Sequence, residues 1–169
     1  KFIELLFNSR GELVGASVET YLLEKVRVVN QGEGERNFHI FYQLLKGLSP
    51  ETRAAWGLRA PQEHHLVNQS SCFALREVTD EEEFERTQSA LTTVGVDETD
   101  QTLVFRILAG LLHLGDLKFV GTKKDGGKAD GASFDPTTVE SVRHAADLLG
   151  VTPEAMEAAT ARTGYSSII

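Results

Sequence analysis

The stretch "ETYLLEKVRVVNQGEGERNFHIFYQLL", Glu19 to Leu45, carries the change from strand to helix on which the reading of the whole chain turns. Its second half continues as "ERNFHIFYQLLKG", with Phe38, Phe41, Tyr42 and Leu45 at i, i+3, i+4 and i+7 before Gly47. That spacing predicts an amphipathic helix closed by a natural C-terminal stop. Between the apolar ends stand Glu24, Lys25, Arg27, Glu33, Glu35 and Arg36. So many charges in such company call for either a solvated linker or a set of buried, paired ions.

Upstream of this junction, "FIELLF" (Phe2 to Phe7) and "LVGASV" (Leu13 to Val18) flank "NSRGE", an Asn/Ser/Gly cluster of the kind that closes a hairpin. Two antiparallel strands are expected. Leu5, Leu6 and Phe7 are consecutive rather than alternating, which implies cover on both faces. A two-stranded hairpin is marginal alone, so its neighbours are expected outside this chain.

Downstream, the pattern is helical, and strands are expected only near the start. Ser49-Pro50, Asp135-Pro136 and Thr152-Pro153 each pair a capping acceptor with a first helical residue that has no N–H to leave unpaired. "TDEEEFERTQSALTTVG" opens with a capping box, Thr79 with Glu82 or Asp80 with Glu83. It places acids at the positive end of the helix dipole and stops at Gly95. "DQTLVFRILAGLLHLG" carries the strongest apolar stripe, Leu103, Val104, Ile107, Leu108, Leu111 and Leu112, and is expected to form the centre of the core. The stretch "LKFVGTKKDGGKADGASF" after it, with glycines at 121, 126, 127 and 131, reads as a solvated loop. The fold class is therefore α+β and mostly helical, an N-terminal antiparallel β-hairpin followed by about six helices.

Composition narrows the function. The 169 residues are 41% hydrophobic, enough for one ordinary core or two small ones. Seventeen Lys and Arg against 25 Asp and Glu give a net charge of −8, which disfavours nucleic acid or an anionic membrane as partner. The single cysteine, Cys72, leaves no internal disulfide and no paired-cysteine metal site, and a reducing compartment is the default. No apolar run approaches the roughly 20 residues of a membrane helix, and the N-terminus has no signal-peptide pattern. Beginning at Lys1 and ending in "SSII", the chain reads as a piece of a longer one.

Local chemistry is thin. "GTKKDGGK" approximates a phosphate-binding loop, but Gly127 stands where the motif requires Lys, and Ala129 replaces the hydroxyl that would hold magnesium. His64 and His65 are adjacent and cannot share a face of regular structure as metal ligands. His39 and His113 fall in apolar helices and read as core histidines. Ser70 and Ser71 lack the glycines of a nucleophile elbow. No catalytic residue and no metal site is assigned.

The combined string is more specific. "ETYLLEKVRVV" followed by "GERNFHIFYQLL" closely resembles the myosin motor domain just after switch I, where the family reads approximately E-T-Y-L-L-E-K-S-R-V and then G-E-R-N-[FY]-H-I-F-Y-Q-L. "KFIELLFNSRGELVGASVETY" resembles the two strands that follow switch I, "LVFRILAGLLHLGDLKF" the long buried helix and next strand, and "AADLLGVTPEAMEAATARTGYSSII" the helices leading into the cardiomyopathy loop. Val26 stands where the family usually has Ser.

The resemblance implies a partial upper fifty-kilodalton subdomain with adjoining transducer strands, from the end of switch I to the start of the cardiomyopathy loop. Residues 1–30 would be a transducer-like hairpin and linker, 31–120 the helical core, 121–134 a loop 4-like segment, and 135–169 helices leading to a truncated actin-binding loop. Lys1 would end switch I near the nucleotide, and Lys123, Lys124, Lys128 and Arg162 would face actin. Glu24, Lys25, Arg27, Glu35 and Arg36 would couple sheet to helices structurally. The parent would be a cytoplasmic, cytoskeleton-associated motor using Mg-ATP, whereas the isolated chain, without P-loop, switch I body or switch II, is expected to bind no nucleotide. The alternative is a non-enzymatic helical interaction module whose hairpin pairs with a partner strand.

Overall fold

The computed structural model describes residues 2–19, 24–123 and 129–160, with the side chains of 122, 123, 129 and 130 excepted. Strands β1 (Phe2–Phe7) and β2 (Leu13–Glu19) pair antiparallel, Phe2 opposite Glu19 and Leu5 opposite Ala16, with a bulge between Leu6 and Phe7. Asn8 builds the turn: its side-chain oxygen accepts from the amides of Arg10 and Glu12 at 2.9 and 3.0 Å. The two strands expected from the sequence are present, but the cover expected on both faces does not come from the described residues. Every residue of β1 is exposed, Phe2, Leu5 and Phe7 each by more than half.

Seven helices follow among the described residues: α1 (Lys25–Val29), α2 (His39–Gly47), α3 (Pro50–Ala55), α4 (Asp80–Thr93), α5 (Glu98–Gly115), α6 (Val139–Leu149) and α7 (Pro153–Thr160). The capping residues act as their spacing implied. Ser49 Oγ accepts from the Thr52 amide, and Thr79 and Glu82 exchange both bonds of the capping box. Asp135 caps a short 3-10 turn that runs into α6. At the other end of α6, Gly150 takes the left-handed conformation, φ 69°, that other residues adopt only with strain.

The core is shared between α2 and α5, although α5 does not bury the face its hydropathy suggests. Phe41, Tyr42, Gln43, Leu44 and Leu45 are buried in one unbroken run, because α4 and α5 both pack on this helix. Phe84 of α4 lies 5.0 Å from the Phe105 ring of α5, joining the two across it. α5 buries Gln101, Phe105, Ala109, Gly110, Leu112 and His113. The stripe expected to be its core face is mostly outside: Leu103, Val104, Ile107 and Leu111 remain 48%, 43%, 51% and 37% exposed. Small residues explain the rotation. A Cβ at Gly110 would sit 2.8 Å from Leu149, so its absence lets α6 approach closely on a face that hydropathy undervalues.

A second departure follows α5. The supposed glycine-rich loop contains a second hairpin, β3 (Phe119–Lys123) against β4 (Ala129–Phe134), with Phe119 opposite Phe134 and their rings 5.5 Å apart. Ala129, Gly131 and Ala132 give β4 little strand propensity of its own. Backbone pairing with β3 and the Phe119–Phe134 contact at the open end supply the strand character instead. Phe134, Leu114 and Leu117 close over a small second core of Ala145, Ala146 and Met156. Among the described residues no helix is long and apolar enough to cross a membrane.

Candidate functional site

The charges of the opening stretch separate into two environments. Glu24 and Arg27 form an exposed pair at 2.8 Å within one helical turn. Lys25 and Glu35 are exposed, Glu35 accepting from the Gly32 amide at 3.3 Å. Arg36 alone is buried. Its Nη2 donates to both carboxylate oxygens of Asp80, at 2.9 and 2.8 Å, and its guanidinium carbon lies 3.9 Å from the centroid of the Tyr42 ring. Lys46 Nζ donates to Asp80 at 2.8 Å and to the Phe73 carbonyl at 3.0 Å. One carboxylate at the start of α4 thus gathers two cations, one from the segment before α2 and one from the end of α2. Arg36 Nε and Nη1 have no hydrogen-bond partner among the described residues, so the Tyr42 face supplies part of what solvent would have given. Such an ion set fixes the relative placement of segments more than it adds net stability.

Asn37 extends the tie. Its side-chain amide donates to the carbonyls of Val28 and Leu66, and the Tyr42 hydroxyl, which accepts from the Asn37 amide at 3.2 Å, donates to Val67 at 3.2 Å. The segment before α2 is thereby held to α1 and to the strap around residue 66.

A second carboxylate does similar work at the far end of α5. Asp116 accepts from Arg59 Nη2 at 2.6 Å, from the His65 amide at 2.7 Å, and from His64 Nδ1 at 2.7 Å. The Arg59 amide donates to His64 Nε2 at 3.1 Å, which places a lone pair on that nitrogen and the proton on Nδ1. His64 is therefore a neutral imidazole of fixed tautomer. Burial pushes the Asp116 carboxyl up, but the His64 and His65 hydrogen bonds and the Arg59 charge outweigh it and hold the group below the usual carboxylate range. Behind His64 stands His113, its ring 5.6 Å from His64 and 5.0 Å from His144 of α6. His113 Nε2 donates to the Trp56 carbonyl at 2.8 Å. Burial pushes its pKa down to about 4, against the opposing pull of the hydrogen bond to the Trp56 carbonyl.

Of the charges singled out in the opening stretch, Arg36 is the one the fold places in a buried network. His113 is buried as expected, whereas His39, also read as a core histidine, is exposed at the start of α2. Packing on α2 falls on the face bearing Phe41, Tyr42 and Leu45, and His39 lies off it. Lys123 closes β3 by its backbone, and Lys1, Lys124, Lys128 and Arg162 lie outside the described residues. Sequence reasoning missed Lys46, Asp116 and Arg59, weighed His64 only as a metal ligand, and read Asp80 only as an alternative cap to Thr79. Thr79 makes the capping box, and nothing local marks Asp80 rather than Glu81 or Glu83 as the partner of two cations. Among the described residues no group of three or more His, Cys, Asp or Glu is placed to hold a metal ion.

Comparison with known proteins gives this geometry a context. Residues 1–167 match the family model described as myosin head (motor domain). Myosin-K heavy chain of Dictyostelium discoideum is 39% identical over 90% of this chain and 17% of its own length. Myosin-1 of Emericella nidulans is 42% identical over 85% of this chain and 11% of its own, and Myosin-52 of Schizosaccharomyces pombe 38% over 92% and 10%. The chain thus spans a small part of each of these relatives.

Proposed function

The chain belongs to the myosin head family, and from that membership we propose that it is a structural segment of an actin-based motor head that couples ATP hydrolysis to force on filaments. The observation that carries this reading is the match over residues 1–167. The hairpin supports it: β1 and β2 are apolar and exposed on both faces, as strands from the interior of a larger sheet would be once separated from it. The finer assignment is to the upper fifty-kilodalton subdomain, between the end of switch I and the cardiomyopathy loop, with the divisions at residues 30, 120 and 134 given above.

In this reading the segment is scaffold and part of the actin-binding face. The β3–β4 hairpin occupies the place of loop 4, and Lys123, Lys124 and Lys128 give it a basic character on an acidic chain, which suits an acidic filament. Arg162 would contribute from the C-terminal side. The buried tie of Arg36, Asp80 and Lys46 would keep the hairpin linker, α2 and α4 in one register while neighbouring parts of the head move.

Mg-ATP belongs to the parent, and the described residues of this chain do not fit it. Gly121, where the phosphate-loop approximation begins, lies inside β3 and faces Ala132 of β4, whereas a phosphate cradle needs a strand that opens through glycines into a helix N-terminus. No step of hydrolysis is routed through this chain. The parent would be cytoplasmic and associated with the cytoskeleton. The test is a head containing this segment: magnesium-dependent ATPase activity should rise with added actin filaments, and Lys123→Glu with Lys124→Glu should weaken filament association and flatten its salt dependence. A head that hydrolyses ATP without responding to filaments would remove the motor reading.

A further inference from the structure

Resting on the proposed filament-facing role of the β3–β4 hairpin, the geometry points to Asp116 as the positioning residue that sets how this hairpin leaves the helical body. A cleft of about 750 Å³ separates two walls. One carries Arg59, Glu63, His65 and Asn68, the other Lys118, Phe119, Thr137, Thr138 and Ser141, with Asp116 between Gly115 and Leu117 where they meet.

The hairpin root is bound firmly on its own side of the cleft. The Asp135 amide donates to the Lys118 carbonyl at 2.8 Å, the Phe134 amide to Glu157 of α7 at 3.3 Å, and Phe134 packs against Ala145, Ala146 and Met156. Root, α6 and α7 therefore behave as one packed block. Across the cleft, Asp116 draws three donors from the segment of residues 59–65 onto a single carboxylate, three residues before β3 begins.

The bonds differ in strength. Arg59 is 43% exposed and its pair is weakened by solvent, but the His64 side chain is fully buried and, among the described residues, has no other acceptor for its Nδ1 proton. Without the carboxylate, that proton is left unpaired in the core and the corner between α5 and β3 loses its tie to the opposite wall. Asp116 would then act through the hairpin, by holding its exit angle, without touching a filament itself.

The experiment uses a myosin head containing this segment, with Asp116→Leu, which keeps the volume but removes every acceptor, and, separately, Arg59→Gln, which removes only the outer partner. With Asp116→Leu, β3 and β4 amides should exchange hydrogen faster while α2 keeps its protection. The half-saturating actin concentration should shift by about fivefold at retained maximal turnover, with Arg59→Gln moving it the same way by less. In a head already carrying Lys123→Glu and Lys124→Glu, adding Asp116→Leu should produce no further shift, because both changes act through one element. Unchanged exchange in the hairpin, unchanged actin dependence, or effects that multiply would overturn the assignment. If the two lysine substitutions alone leave filament binding intact, the filament-facing reading fails, and hairpin exchange then decides the latch by itself.

Discussion

Arg36 and Asp80 meet 2.8 Å apart although 44 residues separate them in the chain, and their side chains are 4% and 2% exposed. Removing Asp80 would leave the buried Arg36 charge with only the Tyr42 face to offset its lost hydration. Asp80→Ala should therefore destabilise the chain by about 3–5 kcal/mol in urea unfolding, while Arg36→Met combined with Asp80→Leu should recover much of the loss. Equal losses in the single and double variants would show that the pair is not the cause.

Stability should also fall in mild acid on account of His113. Its folded pKa, about 4, lies below the ordinary histidine value of 6.5, so between these limits the unfolded chain binds the proton that the folded chain refuses. The contribution is complete above pH 6.5 and is lost as pH falls toward 4, up to about 3 kcal/mol in all. Asp116, held below the carboxylate range, adds its own loss at lower pH. Urea midpoints across this window should slope less for His113→Leu than for the parent, and an unchanged slope would remove His113 as its source.

On α5, substitutions should sort by the observed faces and not by hydropathy. Phe105→Ala removes a ring that is 3% exposed and should cost about 3–5 kcal/mol. Ile107→Asn, at a site 51% exposed, should change the stability of the 169-residue chain by about 0.5 kcal/mol or less. Comparable losses at both positions would contradict the packing described.

The exposed hairpin should drive self-association of the isolated chain, since apolar strands with open edges template further pairing. Leu6→Lys should shift sedimentation toward monomer and leave the helical circular dichroism intact. A parent chain that is already monomeric at high micromolar concentration, with β1 and β2 protected from hydrogen exchange, would instead favour a self-sufficient interaction module.

What could be read without the fold was what neighbours in sequence decide. Ser49 reaches Thr52, Thr79 reaches Glu82, and Asn8 reaches Glu12, all within four residues, so chain connectivity alone brings the groups together. The ordered string from Glu19 to Leu45 likewise carried the family resemblance in itself, and the family match over residues 1–167 agrees with it. Which face of α5 is buried depended on the approach of α6 at Gly110, and the pairing of β3 with β4 depended on backbone bonds that alanine and glycine do not advertise. Asp80 acquired Arg36 and Lys46, and Asp116 acquired Arg59 and His64, across separations of 34 to 57 residues. A carboxylate looks the same in sequence whether it ends in water or between two cations. Only folding, by removing the water, decides which it becomes.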